Sequence, residues 1–130
     1  MTAAAAVAAA LAVGACGTEG IQLAEDDPNY DGAQIFNENC AGCHSLEVVG
    51  AYGSNTNVKT RELKDGPNFN ERVESEEDVL YAIRNGGFSS GPMPQNIVTG
   101  EQAEQVAAFV AKYSGGGADR PANPGASGSP

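Results

Sequence analysis

NENCAGCHSL, residues 37–46, sets the chain's single histidine within five positions of two of its three cysteines. A protein so poor in both residue types has gathered them for one piece of chemistry. Cys40-Ala41-Gly42-Cys43-His44 is a C-x-x-C-H sequence, the spacing that attaches c-type haem. Two thiols separated by two residues in a helical turn can add to the two vinyl groups of one porphyrin. The histidine that follows then lies below the ring, where an imidazole nitrogen can bind the iron. Ala41 and Gly42 are small and leave the backbone free to approach the macrocycle. Three rival readings use the same residues. A dithiol redox motif is expected in a βαβ setting with a lowered thiol pKa, and no strand pattern flanks these cysteines. A structural zinc site needs four ligands, and beyond this motif the chain offers one spare cysteine, Cys16, which the export signal claims. A Cys40–Cys43 disulfide leaves His44 without a role.

The rest of the composition fits a domain that needs help to fold. The 130 residues include 17 glycines, 7 prolines and no tryptophan, so the core is modest for the length. Small domains of this kind call for an added apolar nucleus or a cross-link. The formal charge of -10 argues against nucleic acid and against simple attachment to an anionic membrane surface. Protein partners should therefore present basic docking surfaces, although the same acidity also keeps an exported protein soluble.

Both ends read as separate from the folded unit. TAAAAVAAALAV, residues 2–13, is too short to span a bilayer and has the character of a signal-peptide core, placing the signal segment at 1–15. The VGAC that follows resembles a bacterial lipobox, which would make Cys16 the lipidated first residue of the mature protein. The competing expectation is an ordinary secretory signal, with Cys16 removed or left as a stray thiol. Residues 16–29 are polar and acidic and read as a flexible tether. Residues 115–130 are made of glycine, serine, alanine and proline, a composition that cannot bury enough surface to order itself. The domain is thus expected at 30–114.

Within it, Asp31 is expected to cap a helix whose Gly32, Phe36 and Cys40 share a face and which leads into the cysteine pair. A second helix should open after Ser75, with Asp78 completing a weak capping box and Val79, Leu80 and Ile83 turned inward. Gly86 and Gly87 end it. Thr99 with Gln102 predicts the start of a third helix that buries Ala103, Val106, Ala107, Phe109, Val110 and Tyr113. Residues 46–73 look loop-like, and no stretch alternates at period two. The expected class is all-α, with three main helices and long loops.

Five segments, in order, resemble the small class I c-type cytochromes of bacteria, over most of residues 31–114. They are GAQIFNENCAGCH, DGPNF, VLYAIRNG, GPMP and EQVAAFVAKY. The resemblance implies a cytochrome c fold wrapped around one covalently attached haem c, with Cys40 and Cys43 bonded to it. It implies His44 as the proximal axial iron ligand and Met93 as the distal one. Met93 is the sole methionine after Met1 and lies between Pro92 and Pro94. It also implies that the Pro67 carbonyl holds the second imidazole N–H, and that Gly32 and Phe36 cross Phe109 and Tyr113. Arg84 is the expected partner of a haem propionate. Phe69 stands where the family more often has leucine, and residues 46–65 make a longer loop than its compact members have. The implied function is electron transport by a monomeric lipoprotein, not catalysis. It would be exported, anchored to the outer face of the cytoplasmic membrane or periplasmic. The alternative is a haem protein with an open sixth position, a catalyst or gas sensor.

Overall fold

The computed structural model describes residues 20–54 and 66–116. The signal segment, Cys16, the tail beyond residue 116 and residues 55–65 of the long loop lie outside the described residues. Three helices carry the fold: α1 Tyr30–Asn39, α2 Glu76–Asn85 and α3 Glu101–Tyr113. Both α1 and α2 pack against α3, which is thus their common support.

The α1–α3 contact is closest at Gly32. A Cβ there would fall 2.3 Å from the Gln105 carbonyl oxygen and 2.7 Å from the Phe109 Cβ, so only glycine fits. One turn on, Phe36 meets Phe109 edge-on with ring centroids 5.8 Å apart. Tyr113, expected in the same crossing, instead lies beside Phe109 and gives its hydroxyl to Asp27 at 3.2 Å. All six residues expected to turn inward on α3 are buried.

The caps divide. Ser75 caps α2, its hydroxyl accepting the Asp78 N–H at 3.1 Å and donating to the Asp78 carboxylate at 2.7 Å. Gly86 ends the helix in the left-handed conformation, φ 74°, that glycine adopts without cost. The other two expected caps are corrected by a residue or two. Asn29, not Asp31, precedes α1, and Asp31 lies in the first turn, where its charge suits the helix dipole. Gly100, not Thr99, precedes α3; it has no side chain with which to cap, and its φ of 58° is one that glycine adopts readily.

Two expectations about the loops also change. Ser45–Leu46 (β1) and Ala51–Tyr52 (β2) pair antiparallel around a short 3-10 turn at Glu47–Val49, and Ser45 bridges to Asn68. Leu46, Val49 and Ala51 are buried, so this small hairpin is a wall of the core. Two-residue strands are too short to show alternation, which is why the pattern missed them. Residues 20–29, expected in a free tether, lie along the domain. Ile21 and Leu23 pack against the core, the Gln22 N–H donates to the Val48 carbonyl at 2.9 Å, and Asp27 receives Tyr113. Among the described residues no helix is long and apolar enough to cross a membrane.

Candidate functional site

The three helices and the loops that connect them enclose a largely apolar cavity of about 320 Å³. Cys40, Cys43, His44, Pro67 and Met93 all line it, although they come from three separate stretches of chain. Its wall is completed by Phe36 of α1, Val79 and Ile83 of α2, and Val106 and Val110 of α3.

The cysteine end follows directly from α1. The helix closes at Cys40, and one further turn continues the hydrogen bonding, with Cys43 and His44 N–H groups both directed to the Cys40 carbonyl at 3.1 and 2.9 Å. That turn carries the two thiols and the imidazole to the same side of the chain. Gly53 packs beneath it so closely that a Cβ would stand 2.3 Å from the Ala41 carbonyl oxygen. Both thiols are free, and burial pushes Cys40 up to about 11, with Cys43 beside it acting in the same direction. A dithiol oxidoreductase needs the opposite, a thiolate at neutral pH.

His44 is held from three sides. Its Nδ1 lies 3.1 Å from the Pro67 carbonyl oxygen, which can only accept, so Nδ1 carries the proton and Nε2 keeps its lone pair. Gly66 backs the ring, and Phe69 stacks flat on it with centroids 4.6 Å apart and planes 6° from parallel. Burial holds the imidazole below its ordinary pKa, partly offset by the Pro67 hydrogen bond, and so keeps the ring neutral, the form that binds a metal.

Met93 enters from the loop between α2 and α3, half-buried between the exposed Pro92 and Pro94. Gly87 stands next to it, its missing side chain leaving ordinary contact distance to the sulfur: a Cβ would be 3.9 Å from Sδ. The donor set is thus one neutral imidazole nitrogen and one thioether, with two thiols at the rim of an apolar chamber. That set fits a haem attached through its vinyl groups and bound on both axial sides, and it does not fit zinc. Among the described residues no cluster of three or more His, Cys, Asp or Glu side chains could hold a metal ion by itself.

Arg84 is corrected. It lies on the outer face of α2, in a shallow groove with Glu76, Glu77, Leu80, Tyr81 and Asn85, and is not on the cavity wall. The helix explains this: Val79, Ala82 and Ile83 face inward, and the residue after Ile83 is turned about 100° away. The cation on the wall is Arg72, paired with the buried Glu74, and Asp78 stands there too. Sequence reasoning missed Arg72 and Glu74 because they sit in an irregular stretch with no periodicity to show which way each points. It also missed Phe88, which lines the cavity mouth yet is 61% exposed and stacks on Tyr81, 50% exposed, at 5.0 Å.

Comparison with known proteins supports the fold. The family model described as Cytochrome c matches residues 30–114. Among solved structures, the c-type cytochrome SorU from Sinorhizobium meliloti is similar, at 35% sequence identity and a TM-score of 0.54. The match covers 72% of this chain and 98% of that one. No curated protein matches.

Proposed function

The chain belongs to the cytochrome c family, an electron-carrier family with covalently bound haem c, and from that premise we propose a monohaem carrier that passes single electrons between exported redox partners. The observation that carries this reading is the convergence of Cys40, Cys43, His44 and Met93 on one apolar cavity. Cys40 and Cys43 would hold the haem through thioether bonds, and His44 Nε2 and Met93 Sδ would bind its iron. The haem supplies a one-electron couple; a thioether paired with an imidazole favours the reduced state and raises the potential.

The protein's own residues do the rest. Pro67 fixes the imidazole plane, and Gly66 and Phe69 prevent it from turning. Pro92 and Pro94 stiffen the loop that presents the sulfur, so a change of charge requires little movement. The apolar wall keeps water from the iron.

Electrons enter and leave by the rim at Phe88 and Tyr81. Glu76 and Glu77 flank Tyr81 there, which together with the charge of -10 favours partners with basic docking surfaces. The carrier works as a monomer, exported and tethered through a lipid on Cys16, with no catalytic step of its own.

Absorption spectra of the purified holoprotein test the reading. Sulfur ligation gives the oxidised protein a weak band at the red end of the visible spectrum, and Met93→Ala should abolish it. A high-spin spectrum with no such band in the unaltered protein would instead support an open sixth position, and with it a catalyst or sensor.

A further inference from the structure

We propose that Glu74 is a proton-binding site linked to the electron: its carboxylate takes up one proton from water as the domain accepts an electron, and releases it when the electron leaves. The inference rests on the reading of the cavity as a haem site.

Glu74 belongs by sequence to the acidic run ERVESEEDV, residues 71–79, in which every carboxylate looks like solvated charge at a helix start. The structure separates it from its neighbours. Glu76 and Glu77 are exposed on the outer groove, whereas Glu74 is 8% exposed and lines the cavity. It is the one buried carboxylate among the described residues. Its backbone is fixed as well, the Glu74 N–H donating to the Ser114 hydroxyl at 3.0 Å, at the end of α3. Neither the haem attachment nor the helix cap explains why an acid should be built into this wall.

The charged groups acting on it are few. Arg72 pairs with its carboxylate and favours the ionised form, and Asp78, in the first turn of α2, disfavours it. From α3 the facing group is the neutral Ser114. Across the cavity the remaining titratable side chains are Cys40, Cys43 and His44, all engaged by the haem. Burial, the largest influence, lifts the Glu74 carboxyl above its ordinary value.

An electron arriving in the cavity removes one positive charge from a medium of lower dielectric than water, where charges act on each other more strongly. Glu74 then faces less positive charge and binds a proton more tightly. An O–H bond forms on its carboxylate, the donor protein supplies the electron and water supplies the proton. Linkage is reciprocal, so a protonated Glu74 favours reduction. The route to solvent is short, because the Arg72 side chain that covers Glu74 is itself 54% exposed.

The test is the reduction potential of the holoprotein, measured by optical redox titration across about pH 4 to 9, a range that brackets a raised carboxyl. The potential should fall with rising pH through one window and be flat on either side. Glu74→Gln should abolish the window and Glu74→Asp should keep it. Arg72→Met should move it to higher pH and Asp78→Asn to lower pH. A second readout needs no variant: the reduced-minus-oxidised infrared difference spectrum of the unaltered protein should show a protonated carboxyl gained on reduction. A flat profile, an unchanged window in Glu74→Gln, or no carboxyl signal in the infrared would overturn the proposal. A preparation whose spectrum lacks thioether-linked, methionine-bound haem would instead overturn the reading of the cavity itself.

Discussion

Replacing Gly66 with alanine should drive His44 off the carbonyl that orients it. An added Cβ would stand 2.3 Å from the ring's Cε1, 2.6 Å from Nδ1 and 2.7 Å from Nε2. Non-bonded carbon atoms settle at about 3.5–4.0 Å, so one side must retreat by more than about 1 Å. Gly66 cannot easily be the one to move. Its N–H donates to the Cys43 carbonyl at 2.7 Å, and its own carbonyl accepts the Ser54 hydroxyl at 2.8 Å. The imidazole therefore shifts, and a hydrogen bond that starts at 3.1 Å is lost. Overpacking of this kind costs about 1–3 kcal/mol, and the hydrogen bond adds about 1 kcal/mol. For a domain of this size each kcal/mol lowers Tm by about 4–8 °C, so the combined loss of about 2–4 kcal/mol lowers Tm by about 8–32 °C. Gly66 has no positive φ, which makes the test purely steric. Thermal melting of the holoprotein by circular dichroism measures the loss, with the visible spectrum reporting the disturbed ligand. Gly20→Ala is the control, since a Cβ there meets nothing within 4 Å. A Gly66→Ala protein with unchanged melting and an unchanged spectrum would refute the claim that Gly66 and Pro67 together position His44.

Gly32→Ala should be as damaging at the crossing of α1 and α3, because the clash is with the Gln105 carbonyl of a helix backbone that cannot yield; chemical denaturation should register about 2–3 kcal/mol. Ser75→Ala removes the one side-chain cap of α2 and should cost about 1 kcal/mol, read as a Tm lower by about 4–8 °C with the visible spectrum unaltered. Phe88→Ala and Tyr81→Ala should leave melting nearly unchanged and slow electron transfer to a basic partner by about tenfold each, the scale of a central interface contact; equal rates in stopped-flow mixing would remove that rim from consideration.

How far the sequence could be read depended on how local each interaction is. The C-x-x-C-H turn needs only five consecutive residues, so its chemistry was visible before any fold was known. The stripes of α2 and α3 and the Ser75 cap were also legible, being set by residues three or four apart. The partners of those elements were not. Pro67 reaches His44 across 23 positions, and only the family resemblance pointed to it. Gly66 was marked only as part of the DGPNF segment, with no role attached: what gives it one is the ring lying against it. Arg84 and Arg72 show the difference between a helix and an irregular stretch. Arg84 could have been placed on the outer face from the helical repeat alone. Arg72 and Glu74 could not have been placed inward, since an irregular chain has no period from which to read direction. The same holds for residues 20–29, whose acidity spoke for a tether while Ile21 and Leu23 reach the core. In a domain this short of apolar residues, the cofactor supplies the centre, and the chain arranges itself around that centre rather than around its own pattern. Attachment chemistry is therefore written locally, whereas the residues that tune it are drawn from distant loops.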